Sequence, residues 1–377
     1  MPFCAFGLAK AVFRRRANLG GFGGAGGLAR VVRQVWGMAV SLLDSLRGLQ
    51  PAYPLWVDGR DHVLSLRQGR IEVRRGVARV ASIALLRVSE VVLCSGANAS
   101  AAALRALLHE GIPVAFVGDR GGAGGRVEPA GSSGPSWRTA QWRATEDPAV
   151  RLALASTIVA GKIRNSAALI ARWGRRPHPS VRVRDAVQQL RVLELQAREA
   201  SDVASLLGIE GVAARVYFAT LRSVLPPAVG FGSRDRRGGD VVNTLTNYLS
   251  AVLKAVVVDA VVAAGLDPSM SFLHQPGRGR PTLAFDLMEE WRPVLLDATV
   301  VALVRLQAVT ADDVTVGADG PRLSDGARVA ALSRFQERLA SIASGSSMTY
   351  RDFVRSQPVR LRRALTGGAS YECFRWR

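Results

Sequence analysis

One histidine and two acidic residues between positions 265 and 294 have the types and the spacing of a metal site. His274 closes the run GLDPSMSFLH, and Asp286 and Glu289 follow in RPTLAFDLMEEWRP. Asp286 and Glu289 are three positions apart, so they share one face of a helix. An imidazole combined with carboxylates suits Mg²⁺ or Mn²⁺. Such a site would support metal-assisted phosphodiester chemistry.

Arginines near this segment are candidates for binding the phosphate groups of a substrate. Arg278 and Arg280 lie in the loop between the histidine and the two acids, and a second basic loop precedes a long apolar segment and contains Arg234, Arg236 and Arg237. A guanidinium group can form paired hydrogen bonds with phosphate oxygens. The alternative for each of these positions is a solvated, positively charged loop without a ligand.

A third acid would complete a set of metal ligands, and Glu210 in LLGIEGVAARVYF is the best candidate. It is predicted to start a helix whose other faces are apolar, so helix capping is the favoured alternative. The other two acids also have alternative roles without a metal. Asp286 could interact with a helix dipole, and Glu289 could lie on a solvated helix face. A lone histidine in apolar surroundings, such as His274, is often a buried structural residue. Spacing alone therefore leaves both interpretations open.

The charge balance indicates a polyanionic partner. Fifty basic side chains stand against thirty acidic ones in 377 residues, which gives a net charge of +20 and an isoelectric point near 11.3. A surplus of this size favours binding to nucleic acid through release of counterions. It does not distinguish DNA from RNA or from an anionic membrane. The length is sufficient for a large core and predicts two domains.

The cysteines and the apolar segments predict a cytoplasmic protein without a membrane span. Three cysteines are widely scattered, which argues against a zinc site or a disulfide framework: Cys4, Cys94 and Cys373. The most apolar run, from Leu249 to Ala264, contains charged residues and is too short to cross a bilayer. The N-terminal segment has basic and apolar patches but no clear signal peptide.

Three regions follow one another along the chain. Residues 1–50 form a basic, Gly-rich extension with one possible helix, and its glycines lack the Lys-Ser/Thr ending of a phosphate-binding loop. Residues 51–133 contain short β-prone runs separated by turn residues, one Ser-capped helix and a final Gly/Ser linker, which predicts a small antiparallel β-rich domain. Residues 134–377 show apolar positions at helical spacing near 148–172, 180–207, 208–224, 240–264, 285–308 and 323–345. The predicted class is α+β, with an N-terminal β domain before an α-helical catalytic domain.

Read in order, these segments resemble the CRISPR-associated integrase family, which inserts new spacers into CRISPR arrays. The resemblance runs from about residue 54 to 377 and includes LLHEGIPVAFVGDRGG, AGKIRNSAALIARW, GIEGVAARVYF, GLDPSMSFLH, RPTLAFDLMEEWRP and ALTGGASYECFRWR. The sequence departs from the family at Ser271, where glycine is usual, and at Gly238 and Gly239, where two prolines are usual. It also reads Asn-Tyr-Leu-Ser at 247–250 in place of a Ser-Tyr-Gly-Tyr run.

The resemblance implies an asymmetric homodimer with a metal-dependent active site. The family's three Mg²⁺ or Mn²⁺ ligands match Glu210, His274 and Glu289, with Asp286 as an accessory acid. The metal would activate the 3′-hydroxyl of incoming DNA and polarise the scissile phosphate of the repeat. The implied partners are double-stranded DNA (prespacer and CRISPR repeat) and a small ferredoxin-like CRISPR-associated protein.

Two other functions remain compatible with the residues themselves. A repair nuclease acting on branched DNA could use the same ligands, and it would release fragments where an integrase joins strands. A non-catalytic DNA-binding scaffold would use the acids only to cap helices.

Overall fold

The computed structural model describes residues 53–94, 96–117, 125–127, 135–174, 180–277, 279–318 and 320–376. The predicted N-terminal extension, most of the predicted linker and Arg278 lie outside these residues.

The N-terminal domain contains eight described strands and one helix: β1 (Tyr53–Asp58), β2 (His62–Arg67), β3 (Arg70–Arg75), β4 (Ala78–Ala84), β5 (Val88–Cys94), β6 (Asn98–Ala99), α1 (Ala101–His109), β7 (Val114–Val117) and β8 (Arg126–Val127). They form two four-stranded sheets with the orders β4-β3-β2-β6 and β1-β5-β7-β8. Gly69 and Gly76 make the turns of the first sheet with φ of 72° and 56°, a conformation that glycine adopts at little cost.

Pairing in this domain is mixed rather than purely antiparallel. The predicted antiparallel pairing is found in β2-β3-β4 and in β7-β8, whereas β1-β5, β5-β7 and β2-β6 are parallel. Parallel neighbours need a long crossover connection. Strands β2, β3 and β4 provide it between β1 and β5, and β6 with α1 lies in the connection between β5 and β7. Short runs with glycine turns predict hairpins, so these crossovers were not predictable from local pattern.

The C-terminal body is helical, as predicted. Its elements are α2 (Pro135–Glu146), α3 (Pro148–Trp173), α4 (Val181–Arg198), α5 (Val203–Val224), α6 (Val241–Ala263), α7 (Thr282–Met288), a π-helical segment (Arg292–Asp297), α8 (Ala298–Arg305), a hairpin of β9 (Val314–Gly317) and β10 (Gly320–Leu323), α9 (Asp325–Ala340) and α10 (Tyr350–Leu365). Helix α6 is buried along most of its length, and the large side chains Trp291, Phe272 and Phe335 are fully buried in the same core.

Two predicted helix boundaries were wrong, and both corrections concern candidate site residues. The break predicted at Gly208 lies at 199–202, where the Asp202 side chain caps α5 by accepting the N–H of Ser205 at 2.8 Å. Glu210 is therefore in the second turn of α5, so it does not cap the helix. The predicted helix 285–308 is interrupted after Met288 and continues in the π-helical segment, where Pro293 lacks the N–H that a regular turn requires.

The two domains contact each other through small apolar residues and buried ion pairs. Val92 and Ala115 of the β domain pack against Ala251 and Ala255 of α6. Arg126 pairs with Asp259 and Arg328 with Asp58 at 3.4 Å, while Arg351 donates a hydrogen bond to Glu90 at 3.2 Å. Charges taken from water need such partners.

Length and composition alone would allow α5 and α6 to cross a membrane. The buried share of the most apolar 18-residue window is 22% in α5 and 67% in α6. Helix α5 packs against α3 and α4. These two helices are weak evidence for a membrane span, since core helices have the same composition.

Candidate active site

A partly exposed His274 pairs with the buried Asp286, and this contact fixes the orientation of the imidazole. Nδ1 of His274 lies 2.7 Å from Oδ1 of Asp286, which is fully buried on α7. The same carboxylate accepts the backbone N–H groups of Phe272 at 2.7 Å, Leu273 at 3.0 Å and His274 at 3.0 Å. A carboxylate at Nδ1 makes that nitrogen the donor and leaves Nε2 with a free lone pair. Asp286 therefore positions the histidine.

The loop that carries His274 is held from a distant helix. Gln141 on α2 is fully buried, and its amide donates to the carbonyls of Asp267 and Met270, both at 2.9 Å. Its side-chain oxygen accepts the N–H of Asp267 at 2.8 Å. These bonds satisfy backbone groups that would otherwise be buried without partners. The segment GLDPSMSFLH thus has one conformation although it contains no regular helix or strand.

Glu289 is buried at the end of α7 and is held ionised by two cations. Nε of Arg292 donates to its Oε1 at 2.9 Å, and Nζ of Lys162 lies 2.6 Å from its Oε2. Burial by itself would raise the pKa of Glu289, but Arg292 and Lys162 outweigh burial and hold the pKa at about 2. His274 acts on this pKa in the same direction.

Glu210 reaches the same point from α5. Its Oε1 pairs with Nζ of Lys162 on α3, so one ammonium joins Glu210 and Glu289. Burial lowers the pKa of Lys162, yet Glu289 and Glu210 outweigh burial and raise it. The lysine is therefore charged. Two acids that are 79 positions apart in the sequence are thus brought together by a single cation.

The candidate ligands match a divalent cation in chemistry, but a lysine separates two of them. Within the described parts of the chain, no group of three His, Cys, Asp or Glu side chains is arranged to hold a metal ion. Oε2 of Glu289 is buried and accepts no hydrogen bond of good geometry, despite its short distance to Lys162. This atom, the Glu210 carboxylate and Nε2 of His274 are hard oxygen and nitrogen donors that suit Mg²⁺ or Mn²⁺. The donor set therefore fits the metal, with Lys162 between the two carboxylates.

A second set of polar contacts near Arg292 involves Tyr217, Asp297 and Arg234. The hydroxyl of Tyr217 donates to Asp297 at 2.7 Å, and burial raises the pKa of Asp297 to about 6 although Tyr217, Arg292 and Arg234 act to lower it. Arg234 in turn donates to the side-chain oxygens of Asn243 at 2.9 Å and Asn247 at 2.6 Å. Arg234 therefore orders the start of α6, and this role differs from the predicted phosphate contact.

The other predicted phosphate contacts lie in different places. Arg236 and Arg237 are exposed and line a cleft of about 940 Å³ between the β1–β2 turn, the loop before α6 and the β9–β10 hairpin. The cleft contains six arginines: Arg60, Arg75, Arg236, Arg237, Arg322 and Arg328. Three acids also line it: Asp58, Asp61 and Asp325. Arg280 instead lies over Phe285, with 5.8 Å between its Cζ and the ring centroid, and that ring contacts His274.

Sequence reasoning missed Lys162, Arg292 and Gln141 as parts of the site. Two of them had a weak signal. Lys162 is the single lysine of its helix in a chain with three lysines, and Arg292 lies three positions after Glu289. The contacts that give Lys162 and Gln141 a role join distant segments.

Comparison with known proteins identifies the family of the chain. The family model described as CRISPR associated protein Cas1 matches residues 55–337. The chain belongs to the Cas1 family. A protein from Thermus thermophilus named CRISPR-associated endonuclease Cas1 3 is 32% identical over 311 residues, which cover 81% of this chain and 91% of that protein. The predicted family and the α+β class are confirmed.

Two solved structures share the fold of this Cas1 chain. One belongs to a Cas6-RT-Cas1--Cas2 complex, with a TM-score of 0.75, 20% identity, and coverage of 86% of this chain and 36% of that one. The other is a casposase bound to an integration product, with a TM-score of 0.72, 19% identity, and coverage of 86% and 94%.

Proposed function

We propose that this Cas1 protein is a metal-dependent DNA integrase and endonuclease that joins short foreign DNA to a CRISPR repeat. The observation that carries the proposal is that Lys162 on α3 joins Glu210 of α5 to Glu289 of α7, while Asp286 holds His274 in the loop before α7. Two acids that are far apart in sequence and share one cation indicate a reaction centre. Helix capping does not explain the two acids. Glu210 lies inside a helix, and Glu289 lies at the C-terminal end of one, where the helix dipole disfavours a negative charge.

Each residue has a distinct role in this proposal. Glu210, Nε2 of His274 and Glu289 would hold Mg²⁺ or Mn²⁺, which when bound polarises a phosphate and makes a hydroxyl more acidic. Asp286 accepts the hydrogen bond of Nδ1 of His274, so Nε2 would be available as a neutral ligand. Arg292 keeps Glu289 ionised and oriented. Asp286 thus acts through the histidine and does not itself touch the substrate.

The proposed reaction is a transesterification at phosphorus. The 3′-oxygen of the incoming strand forms a bond to the phosphorus of the repeat, and the bond from that phosphorus to the 3′-oxygen of the repeat strand breaks. The attacking hydroxyl loses one proton and the leaving oxygen gains one, so the step is balanced. Water in place of the 3′-hydroxyl gives hydrolysis, which is the endonuclease activity.

Binding of the DNA backbone is assigned to the arginine-lined cleft and to the chain's net charge of +20. Arg236 and Arg237 are proposed as phosphate contacts, and Arg280 is proposed to lie near the reacting phosphate because it is packed beside Phe285 and His274. Guanidinium groups suit phosphate oxygens. The proposed setting is the cytoplasm.

The proposed assembly is a homodimer that works with a small ferredoxin-like CRISPR-associated protein. Support comes from the similar structure that belongs to a Cas1--Cas2 complex. The similar casposase, which is bound to an integration product, supports strand joining over simple cleavage.

A plasmid-joining assay tests the proposed function. The protein, with and without its candidate partner subunit, is incubated with a labelled short duplex, a repeat-bearing plasmid and Mn²⁺ or chelator. We expect label in the plasmid in the metal-containing reactions and none with His274→Ala. Unlinked fragments alone would indicate a branched-DNA or repair nuclease. DNA binding with no metal-dependent product from any substrate would indicate a non-catalytic scaffold.

A further inference from the structure

Lys162 has an unusual position for a residue beside a metal site. Its Nζ contacts both Glu210 and Glu289, which are the two proposed carboxylate ligands, and the side chain is only 21% exposed. With Arg292, it balances the two negative charges within this cluster. A cation in contact with both carboxylates repels any second cation that approaches them.

We infer that Lys162 is a built-in counter-cation that competes with the divalent metal for Glu210 and Glu289. The inference rests on the proposed function, since it concerns the same two carboxylates. In the metal-free protein the ammonium stabilises the buried Glu289 and the partly buried Glu210, which would otherwise repel each other. Metal binding then requires the ammonium to withdraw. Lys162 therefore stabilises the metal-free fold and lowers the affinity for the metal.

The surroundings of Lys162 determine which part of it moves. Helix α3 is fixed at this point: Asn165 donates to the carbonyls of Glu290 at 2.9 Å and Phe374 at 3.1 Å. Gly161 approaches the C-terminal segment so closely that a Cβ there would lie 2.6 Å from Cβ of Cys373. The helix backbone cannot shift, so the ammonium must leave by rotation of the lysine side chain.

Lysine suits this role better than arginine would. An ammonium is a compact point charge on a flexible four-carbon stem, so it can contact two carboxylates and then move aside. A guanidinium is a rigid planar group with a fixed hydrogen-bond geometry, and Arg292 donates through its Nε to Glu289 at 2.9 Å. The two cations of the site thus have different roles. Arg292 orients the carboxylate of Glu289, and Lys162 lies between the carboxylates of Glu210 and Glu289.

Calorimetric titration with Mn²⁺ in the absence of DNA tests the competition. Replacing Lys162 with Met should tighten Mn²⁺ binding on the order of tenfold, because one nearby positive charge is removed. The same variant should unfold at a lower temperature without metal and show a larger Mn²⁺-induced rise in melting temperature. Lys254→Met, which removes a half-buried lysine on α6, is the matched control and should bind Mn²⁺ like the native protein.

Labelling of the native protein tests the same inference without any substitution. Acylation of lysines followed by mass spectrometry should show that Mg²⁺ increases modification at Lys162, with Lys254 as the internal reference. Unchanged or reduced modification at saturating Mg²⁺, or weaker Mn²⁺ binding by the folded Met variant, would overturn the inference. Failure of the native protein to bind Mn²⁺ at all would instead overturn the proposed function.

Discussion

The backbone N–H of Phe374 donates to Oε2 of Glu290 at 2.7 Å, which attaches the C-terminal segment to the acid next to Glu289. Oε1 of Glu290 is contacted by Gln357 and by the hydroxyl of Tyr371, so both oxygens of this buried carboxylate have partners. Burial raises the pKa of Glu290, although Cys373, Arg360 and the Phe374 N–H act to lower it. The segment that contains Tyr371 and Phe374 therefore helps to hold the chain in place next to Glu289.

Replacing Phe374 with Ala should destabilise the protein by about 3–5 kcal/mol, because the ring is buried and stacks on Trp291 with 5.0 Å between centroids. Urea denaturation measures the loss. Trp142→Ala, on a half-exposed tryptophan, is the control and should cost much less. Equal losses for the two variants would contradict the assignment of the C-terminal segment to the core.

Asp286→Asn should weaken Mn²⁺ binding and strand joining by about 10–100-fold, because an amide holds the imidazole less well than a carboxylate does. Titration calorimetry and the joining assay give the two values. Asp267→Asn is a suitable comparison, since Asp267 lies in the same loop and, among the described residues, its side chain accepts hydrogen bonds from Ser269 alone. An Asp286→Asn protein with native metal affinity would show that His274 needs no positioning carboxylate.

Arg236→Ala and Arg237→Ala should each weaken binding to all DNA sequences alike and reduce the salt dependence of binding by about one counterion. Fluorescence anisotropy at several salt concentrations measures both effects. Arg198→Ala removes an exposed arginine that pairs with Glu194 outside the cleft, and its salt dependence should match the native value. Native slopes for both cleft variants would exclude the cleft as the DNA path.

Stability should fall as pH rises through the range in which Glu90 titrates. Burial, then Asp259, raise the pKa of Glu90 to about 8 from the ordinary value of 4.5, against Arg351 and Arg355. Between these values the unfolded chain has released a proton that the folded protein retains, so unfolding becomes easier as pH increases. Glu90→Gln should flatten this dependence in denaturation at about pH 5 and about pH 8. The control Glu337→Gln, on an exposed acid, should leave it unchanged.

Local sequence pattern predicted the elements better than it predicted their contacts. Ser100 caps α1 as expected, accepting the N–H of Ala103 at 3.2 Å, and the helical body follows the β domain. The parallel pairing of β1 with β5 depends on a crossover of about thirty residues, for which a local window holds no information. The break at 199–202 was missed because Gly208 is the stronger helix breaker by propensity, yet packing overrides propensity.

For the candidate site as well, sequence predicted the residues better than their contacts. The types and spacing of His274, Asp286 and Glu289 were sufficient to suggest a metal site, since they lie within sixteen residues. The role of Lys162 depends on α3 crossing both α5 and the segment after α7, which spacing cannot reveal. Glu210 was weighed as a helix cap because its helix was predicted to start too late.

The most direct measurement is anomalous diffraction from crystals of the protein grown with Mn²⁺. We expect one strong peak in contact with Glu210, Nε2 of His274 and Glu289, with the ammonium of Lys162 displaced from between the two carboxylates. A peak bound elsewhere, or saturating Mn²⁺ with Lys162 still joining Glu210 to Glu289, would contradict it.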